Sequence, residues 1–149
     1  MHRVLIVDDH PFVRRGVQSI LHSAPEWELC GEADNGTDAI RLSEALRPEV
    51  VIMDVSMPGL NGIEATRAIH KNQPNTKVVL LTLHEAGELV KSAFRAGARG
   101  YILKMDAEQE LLKALRVVIG EGSYISPKID HRVADAVIHE LTEQPQPHS

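Results

Sequence analysis

The chain predicts one α/β domain: a five-stranded parallel sheet with helices on both faces, then one further helix. Three observations carry this expectation. Short apolar runs rich in β-branched residues alternate five times with segments whose apolar residues recur at helical spacing, the pattern of successive βα units. The strand runs are apolar throughout, as in Val50-Val51-Ile52-Met53, which is what a sheet covered on both faces requires. Pro, Gly, Asn and Asp gather between the runs, where turns and helix caps need them.

Taken in order, residues 3–7 form a strand that ends at Asp8-Asp9-His10-Pro11. Pro11 suits the first turn of a helix in which Phe12, Val13, Gly16, Val17, Ile20 and Leu21 recur at helical spacing. Pro25 breaks that helix, and residues 27–33 form the second strand, which contains Cys30. Asn35-Gly36-Thr37-Asp38 supplies the cap of a helix stopped by Pro48. The third strand runs into Asp54, and Met57-Pro58-Gly59 turns the chain. Asn61 and Glu64 have the N-cap and third-position spacing of the next helix, which Pro74-Asn75 ends.

The fourth strand, residues 77–81, runs into Thr82. The helix after it, over residues 85–96, contains Gly87, which in a helix interior costs about 1 kcal/mol relative to Ala and marks this helix as weak and movable. The fifth strand, residues 101–103, runs into Lys104, and Asp106 with Gln109 opens a helix ended by Gly120 and Gly122. Ser126-Pro127 then predicts the cap and first turn of a last helix whose Ile129, Val133, Val137 and Leu141 recur every four residues. That stripe needs a cover, from the same domain, a second copy or a further domain. Residues 144–149 have the makeup of a linker or frayed end. The α/β unit is expected over residues 1–121, with a linker helix and tail over 122–149.

Composition narrows the function. A net charge of -5 and 3% aromatic residues argue against this piece gripping nucleic acid by itself, since phosphates need clustered cations and bases need stacking partners. One cysteine supplies neither a disulfide nor a thiolate metal cluster. No apolar run reaches membrane-spanning length, and the start passes directly into a strand, so a cytoplasmic location is expected.

Parallel neighbouring strands bring their carboxyl ends to one rim. Asp8 and Asp9, Asp54, Thr82 and Lys104 then share a small area, with His10 and His84 near it. Like charges about 4 Å apart repel by about 4 kcal/mol at an effective dielectric of about 20. Such carboxylates shift their pKa values or recruit a cation, and an all-oxygen set favours Mg²⁺, Mn²⁺ or Ca²⁺. A divalent ion, a lysine and an aspartate at the end of a central strand suit phosphoryl transfer to Asp54.

Asp8-Asp9, Asp54 with Met57-Pro58-Gly59-Leu60-Asn61-Gly62, Thr82 and Tyr101-Ile102-Leu103-Lys104 resemble the receiver domain of bacterial two-component response regulators. Chemotaxis receivers are standard instances of the flavodoxin-like strand order 2-1-3-4-5, so the resemblance implies that order here. It further implies Asp54 as phosphoacceptor, Asp9 as a direct Mg²⁺ ligand, Asp8 acting through water, and the Ser56 backbone carbonyl as the last protein ligand. Thr82 and Lys104 would bind the phosphoryl oxygens, and the Tyr101 rotamer would follow Thr82. The implied partner is a sensor histidine kinase, and the implied role is that of a phosphoacceptor rather than an enzyme.

Val7-Asp8-Asp9-His10-Pro11, the run Ala96-Gly97-Ala98-Arg99-Gly100-Tyr101 and the post-domain helix are similar to the NarL/FixJ (LuxR-type) branch. That branch implies a homodimer on activation and a C-terminal helix-turn-helix domain that binds DNA, of which this chain holds no part after Leu141. Leu83 is bulkier than the residue frequent after the threonine and is expected to restrict access to the phosphoryl group. Three other readings compete: a stand-alone or unphosphorylated receiver-like interaction module, an Mg²⁺-dependent aspartyl-phosphate hydrolase, and a flavin- or nucleotide-binding module, which would need a phosphate-cradling glycine loop where Asp8-Asp9-His10-Pro11 stands. The hydrolase reading is weakened because such enzymes resemble Asp-x-Asp at the attack site, where Ser56 stands here.

Overall fold

The computed structural model describes residues 1–143. All strands are parallel and form one sheet in the order β2-β1-β3-β4-β5-β6. They comprise β1 (His2–Val7), β2 (Trp27–Ala33), β3 (Val50–Met53), β4 (Lys77–Thr82), β5 (Gly100–Leu103) and β6 (Tyr124–Ile125). The helices are α1 (Pro11–His22), α2 (Gly36–Leu46), α3 (Gly62–Asn72), α4 (Gly87–Arg95), α5 (Ala107–Ile119) and α6 (His131–Glu143).

Side chains alternate between the faces of a strand, so each apolar run feeds two cores. Val4, Ile6, Val50, Ile52, Val79, Leu81 and Ile102 pack with Val17 and Leu21 of α1 and Leu111, Leu115 and Val118 of α5. Their neighbours Leu5, Val7, Val51, Met53, Val78, Leu80 and Tyr101 pack with Ala39 of α2, Ile63 and Ile69 of α3 and Val90 and Phe94 of α4. Each fully buried Leu or Ile of this kind contributes about 1.5–3 kcal/mol, and the doubly covered sheet fixes the register of every strand end.

Two expected caps are formed. Asn35 Oδ1 accepts from the Asp38 N–H at 2.8 Å, and Asn61 Oδ1 accepts from the Glu64 N–H at 2.9 Å. Three local expectations are corrected. Asp106 stands before α5 but makes no side-chain cap bond, because a 3-10 turn over Lys104–Asp106 turns its carboxylate to Lys128 Nζ at 3.1 Å. Gly87 is the first residue of α4 rather than an interior one, so its interior penalty does not apply. A Cβ there would lie 2.8 Å from Val133 Cγ2, and the glycine lets α6 approach.

The last helix begins at His131, with Asp130 Oδ1 accepting from the Arg132 N–H at 2.8 Å. Ser126 does not cap it. The Ser126 N–H donates to the Tyr101 carbonyl at 2.9 Å, and its Oγ accepts from the Leu103 N–H at 3.1 Å, which extends the sheet by the short, unexpected β6. The stripe of α6 is covered by the same domain: Ile129 and Val137 are buried, and Val133 and Leu141 pack on the core that contains Val90 and Phe94. The tail over residues 144–149 lies outside the described residues.

Two glycines separate space from strain. Around Gly16, inside α1, a Cβ would meet nothing within 4 Å, whereas on Gly62 it would lie 2.0 Å from the Asp54 carbonyl oxygen. Gly16→Ala is expected to stabilise the protein by about 0.5–1 kcal/mol, and Gly62→Ala to destabilise it by about 1–3 kcal/mol. Urea denaturation at constant m-value measures both, and equal effects would contradict the packing described.

Candidate functional site

The order of the sheet reverses at β1 and β3, and the crevice outside the carboxyl ends of such strands is where open α/β sheets bind ligands. The ladder continues into the residues that carry the acids: the Asp8 N–H donates to the Ala33 carbonyl at 3.1 Å and the Asp54 N–H to the Val7 carbonyl at 3.0 Å. The two carboxylates therefore stand on rigid strand ends rather than on loops. Both residues are buried, at 3% and 4% exposure, which is rare for aspartate without partners.

Lys104, first residue after β5, supplies the partner. Its Nζ lies 3.0 Å from Asp54 Oδ2 and 2.9 Å from Asp8 Oδ2. Asp54 Oδ1 accepts from the Ser56 N–H at 3.3 Å. Asp8 Oδ1 accepts from the His10 N–H at 2.9 Å, and His10 Nδ1 lies 3.1 Å from both Asp8 Oδ1 and Asp9 Oδ1. Burial pushes the Asp54 carboxyl above the usual carboxylate range; the bond and charge of Lys104 offset only part of this, and the Asp8 charge adds to the rise. Burial alone would lower the Lys104 ammonium, but its bonds to Asp8 and Asp54 outweigh burial and raise it.

Thr82 ends β4 fully buried, and its Oγ1 accepts from the His84 N–H at 3.3 Å. The Tyr101 hydroxyl donates to the His84 carbonyl at 2.8 Å, and its pKa is pushed up to about 12, by burial first and the Asp54 charge second. Ser56 Oγ and His84 Nε2 are 2.6 Å apart. The loop after β4 is thus joined at His84 to Thr82, Tyr101 and Ser56. Beside these residues opens a cleft of about 660 Å³ lined by Asp9, His10, Ser56, Met57 and His84.

Asp8, Asp9, Asp54 and Lys104 are brought together as expected, while Thr82 and Tyr101 meet through His84 rather than at the carboxylates. Leu83 is corrected: it is 69% exposed and does not line the cleft, so it does not obstruct it. The Ser56–His84 bridge and the Ser126 tie to β5 had no signal in the sequence, because both join segments far apart in the chain. A divalent cation fits the donors present. Three carboxylates face one ammonium, Asp9 Oδ1 is buried without a hydrogen bond, and ligand atoms of Asp8, Asp9, His10 and Asp54 all lie within 4.8 Å of one another.

A parallel α/β sheet with an acidic, lysine-braced pocket at its carboxyl edge defines a class, and comparison with known proteins agrees with it. Residues 4–116 match the response regulator receiver domain. The chain is 40% identical over 132 residues to the transcriptional regulatory protein DegU of Brevibacillus brevis, covering 88% of this chain and 56% of that protein. It is 41% identical over 134 residues to the response regulator GacA of Pseudomonas aeruginosa, covering 90% and 63%. A crystal structure of a LuxR-family two-component response regulator from Aurantimonas sp. SI85-9A1 superposes with a TM-score of 0.84 at 32% identity, covering 96% of this chain and 99% of that one. The chain belongs to the response regulator receiver domain family. It spans 56% and 63% of the lengths of those two curated relatives. Among the described residues, no helix is long and apolar enough to cross a membrane.

A carboxyl whose pKa is raised on folding opposes folding while ionised; the penalty is complete above the folded pKa and is relieved as pH falls through it. In metal-free buffer at about pH 7, Asp54→Asn is therefore expected to melt above wild type, with the gap closing as pH falls through the carboxylate range. Paired thermal scans across that range check this, and identical melting temperatures at neutral pH would contradict it.

Proposed function

We propose that this chain is the phosphorylation-dependent receiver of a two-component transcriptional regulator, accepting a phosphoryl group on Asp54 from a sensor histidine kinase. The observation that carries the reading is the buried Asp54 carboxylate held by Lys104, with Asp8 on the same ammonium. Asp9 and Asp54 with the Ser56 backbone carbonyl would hold Mg²⁺, or Mn²⁺ in its stead, with Asp8 acting through water, and the ion would supply the positive charge that phosphoryl oxygens require.

An Asp54 oxygen forms the new bond to phosphorus as the bond from phosphorus to the donor's leaving group breaks, and the leaving group departs with the electron pair. Lys104 is already oriented toward Asp54 and shifts its hydrogen bond to a phosphoryl oxygen. The Thr82 hydroxyl rotates to donate to a second oxygen. Moving a two-state equilibrium from 1:99 to 99:1 takes about 5.5 kcal/mol, and two charge-assisted hydrogen bonds at about 1.5–3 kcal/mol each approach that sum where one does not. The His84 loop carries the change to Tyr101, whose hydroxyl it holds, and so to the surface around α4 and β5.

Residues 1–121 act as the receiver in this reading and 122–149 as linker helix and tail, leading to a DNA-binding helix-turn-helix domain outside this chain. The name of the DegU relative, a transcriptional regulatory protein, supports a transcriptional output. In this reading the protein works in the cytoplasm as a homodimer once phosphorylated. Intact-mass spectrometry after acetyl phosphate and Mg²⁺ tests the proposal. Wild type is expected to gain one phosphoryl group and Asp54→Asn none, while Lys104→Ala reacts roughly 10²-fold more slowly. Phosphoryl uptake by Asp54→Asn would overturn the assignment, and light scattering on the same samples reports the dimer.

A further inference from the structure

The carboxylates explain a hard-cation site, but they do not explain His10. Its backbone N–H closes a tight turn on Asp8 Oδ1 at 2.9 Å, and Pro11 at the start of α1 fixes the backbone that follows. The turn brings Nδ1 of the exposed ring up to the carboxylates. Nδ1 stands 3.1 Å from one oxygen of Asp8 and 3.1 Å from one of Asp9, and a ring nitrogen of His10 lies within 4.8 Å of the ligand atom that Asp54 offers. One ring nitrogen carries at most one proton and can satisfy one of those oxygens at a time. Asp9 Oδ1 is accordingly left buried without a hydrogen bond. A cation seated among the same atoms would satisfy the Asp8 and Asp9 oxygens and the ring nitrogen together.

We propose that His10 Nδ1 is a nitrogen ligand of this site, which makes it a mixed nitrogen and oxygen site selective for first-row transition divalent ions over Mg²⁺. The inference deepens the receiver reading and rests on it. Imidazole binds Mn²⁺, Co²⁺ and Zn²⁺ through its neutral form, whereas Mg²⁺ prefers oxygen and retains its waters. Adding one imidazole to carboxylates therefore strengthens the transition ions and leaves Mg²⁺ nearly unchanged. On binding, any proton on Nδ1 passes to solvent and Nε2 carries the remaining one. His10 is 63% exposed at the side chain, so the ring meets an arriving ion before the buried acids do.

Mn²⁺ is the probe, with the full chain of wild type, His10→Ala and Asp9→Asn. Pulsed electron paramagnetic resonance is expected to show ¹⁴N modulation from a directly bound nitrogen in wild type and none in His10→Ala. Competition titration is expected to show Mn²⁺ affinity falling roughly tenfold in His10→Ala while Mg²⁺ affinity stays within about twofold. Bound Mn²⁺ without nitrogen modulation, or an equal loss of both ions in His10→Ala, would overturn the role of His10 and leave the acidic site standing. Failure of wild type to bind either ion, or undiminished binding by Asp9→Asn, would overturn the acidic site and His10 with it.

Discussion

One ammonium shared by two buried carboxylates is the constraint on which this protein depends. Asp8 and Asp54 both contact Lys104, and all three side chains are largely withdrawn from water. Removing Lys104 from such a buried arrangement costs about 3–5 kcal/mol, because Asp8 and Asp54 are then left without the ammonium they share, whereas loss of either acid leaves Lys104 paired with the other. The arrangement does not neutralise the pocket, since Asp9 adds a further carboxylate with a buried oxygen. The remaining negative charge fits the pocket to a cation, and the burial that raises the Asp54 carboxyl works against its ionised form.

That cost is borne by the sheet. Doubly covered strands leave little freedom at their carboxyl ends, so the acids cannot retreat to water, and the ladder bonds to Ala33 and Val7 hold the backbone beneath them. Gly62 serves the same end by packing against the Asp54 carbonyl, where no side chain fits. The pocket is rigid on its β1, β3 and β5 sides. Its β4 side is a loop whose position is defined by His84, through bonds to Thr82, Tyr101 and Ser56.

The segment beyond the family's matched residues is built into the same body. Ser126 bonds to Tyr101 and Leu103 on either side of Ile102, and Lys128 pairs with Asp106 two residues beyond Lys104. Farther on, α6 lies on α4, where Gly87 admits Val133 and Arg95 pairs with Glu140 at 3.0 Å. These contacts close the apolar stripe of α6 over the core and join its start to the strand that delivers Lys104.

Much of this was legible in the chain itself. Five apolar runs alternating with helical periods dictate βα units, and burial on both faces leaves no other use for Val50-Val51-Ile52-Met53. The rim acids and Lys104 follow, because each stands directly after a strand and parallel strands end together. The Asn35 and Asn61 caps are local chemistry and were equally readable. Long-range contacts were not. Ser126 has the sequence of a helix cap, yet sheet pairing with β5 claims its polar groups; Asp106 has the same appearance, yet Lys128 claims its carboxylate. Gly87 suggested a weak helix until the approach of α6 gave it a packing role. Leu83 looked like an obstacle until its direction was known. Order along the chain determined which side chains reach one edge, since strand period and burial are properties of neighbouring residues. Which of them touch, and which turn to a partner tens of residues away, was decided by tertiary packing, since a hydrogen-bonding group takes whichever partner the fold delivers.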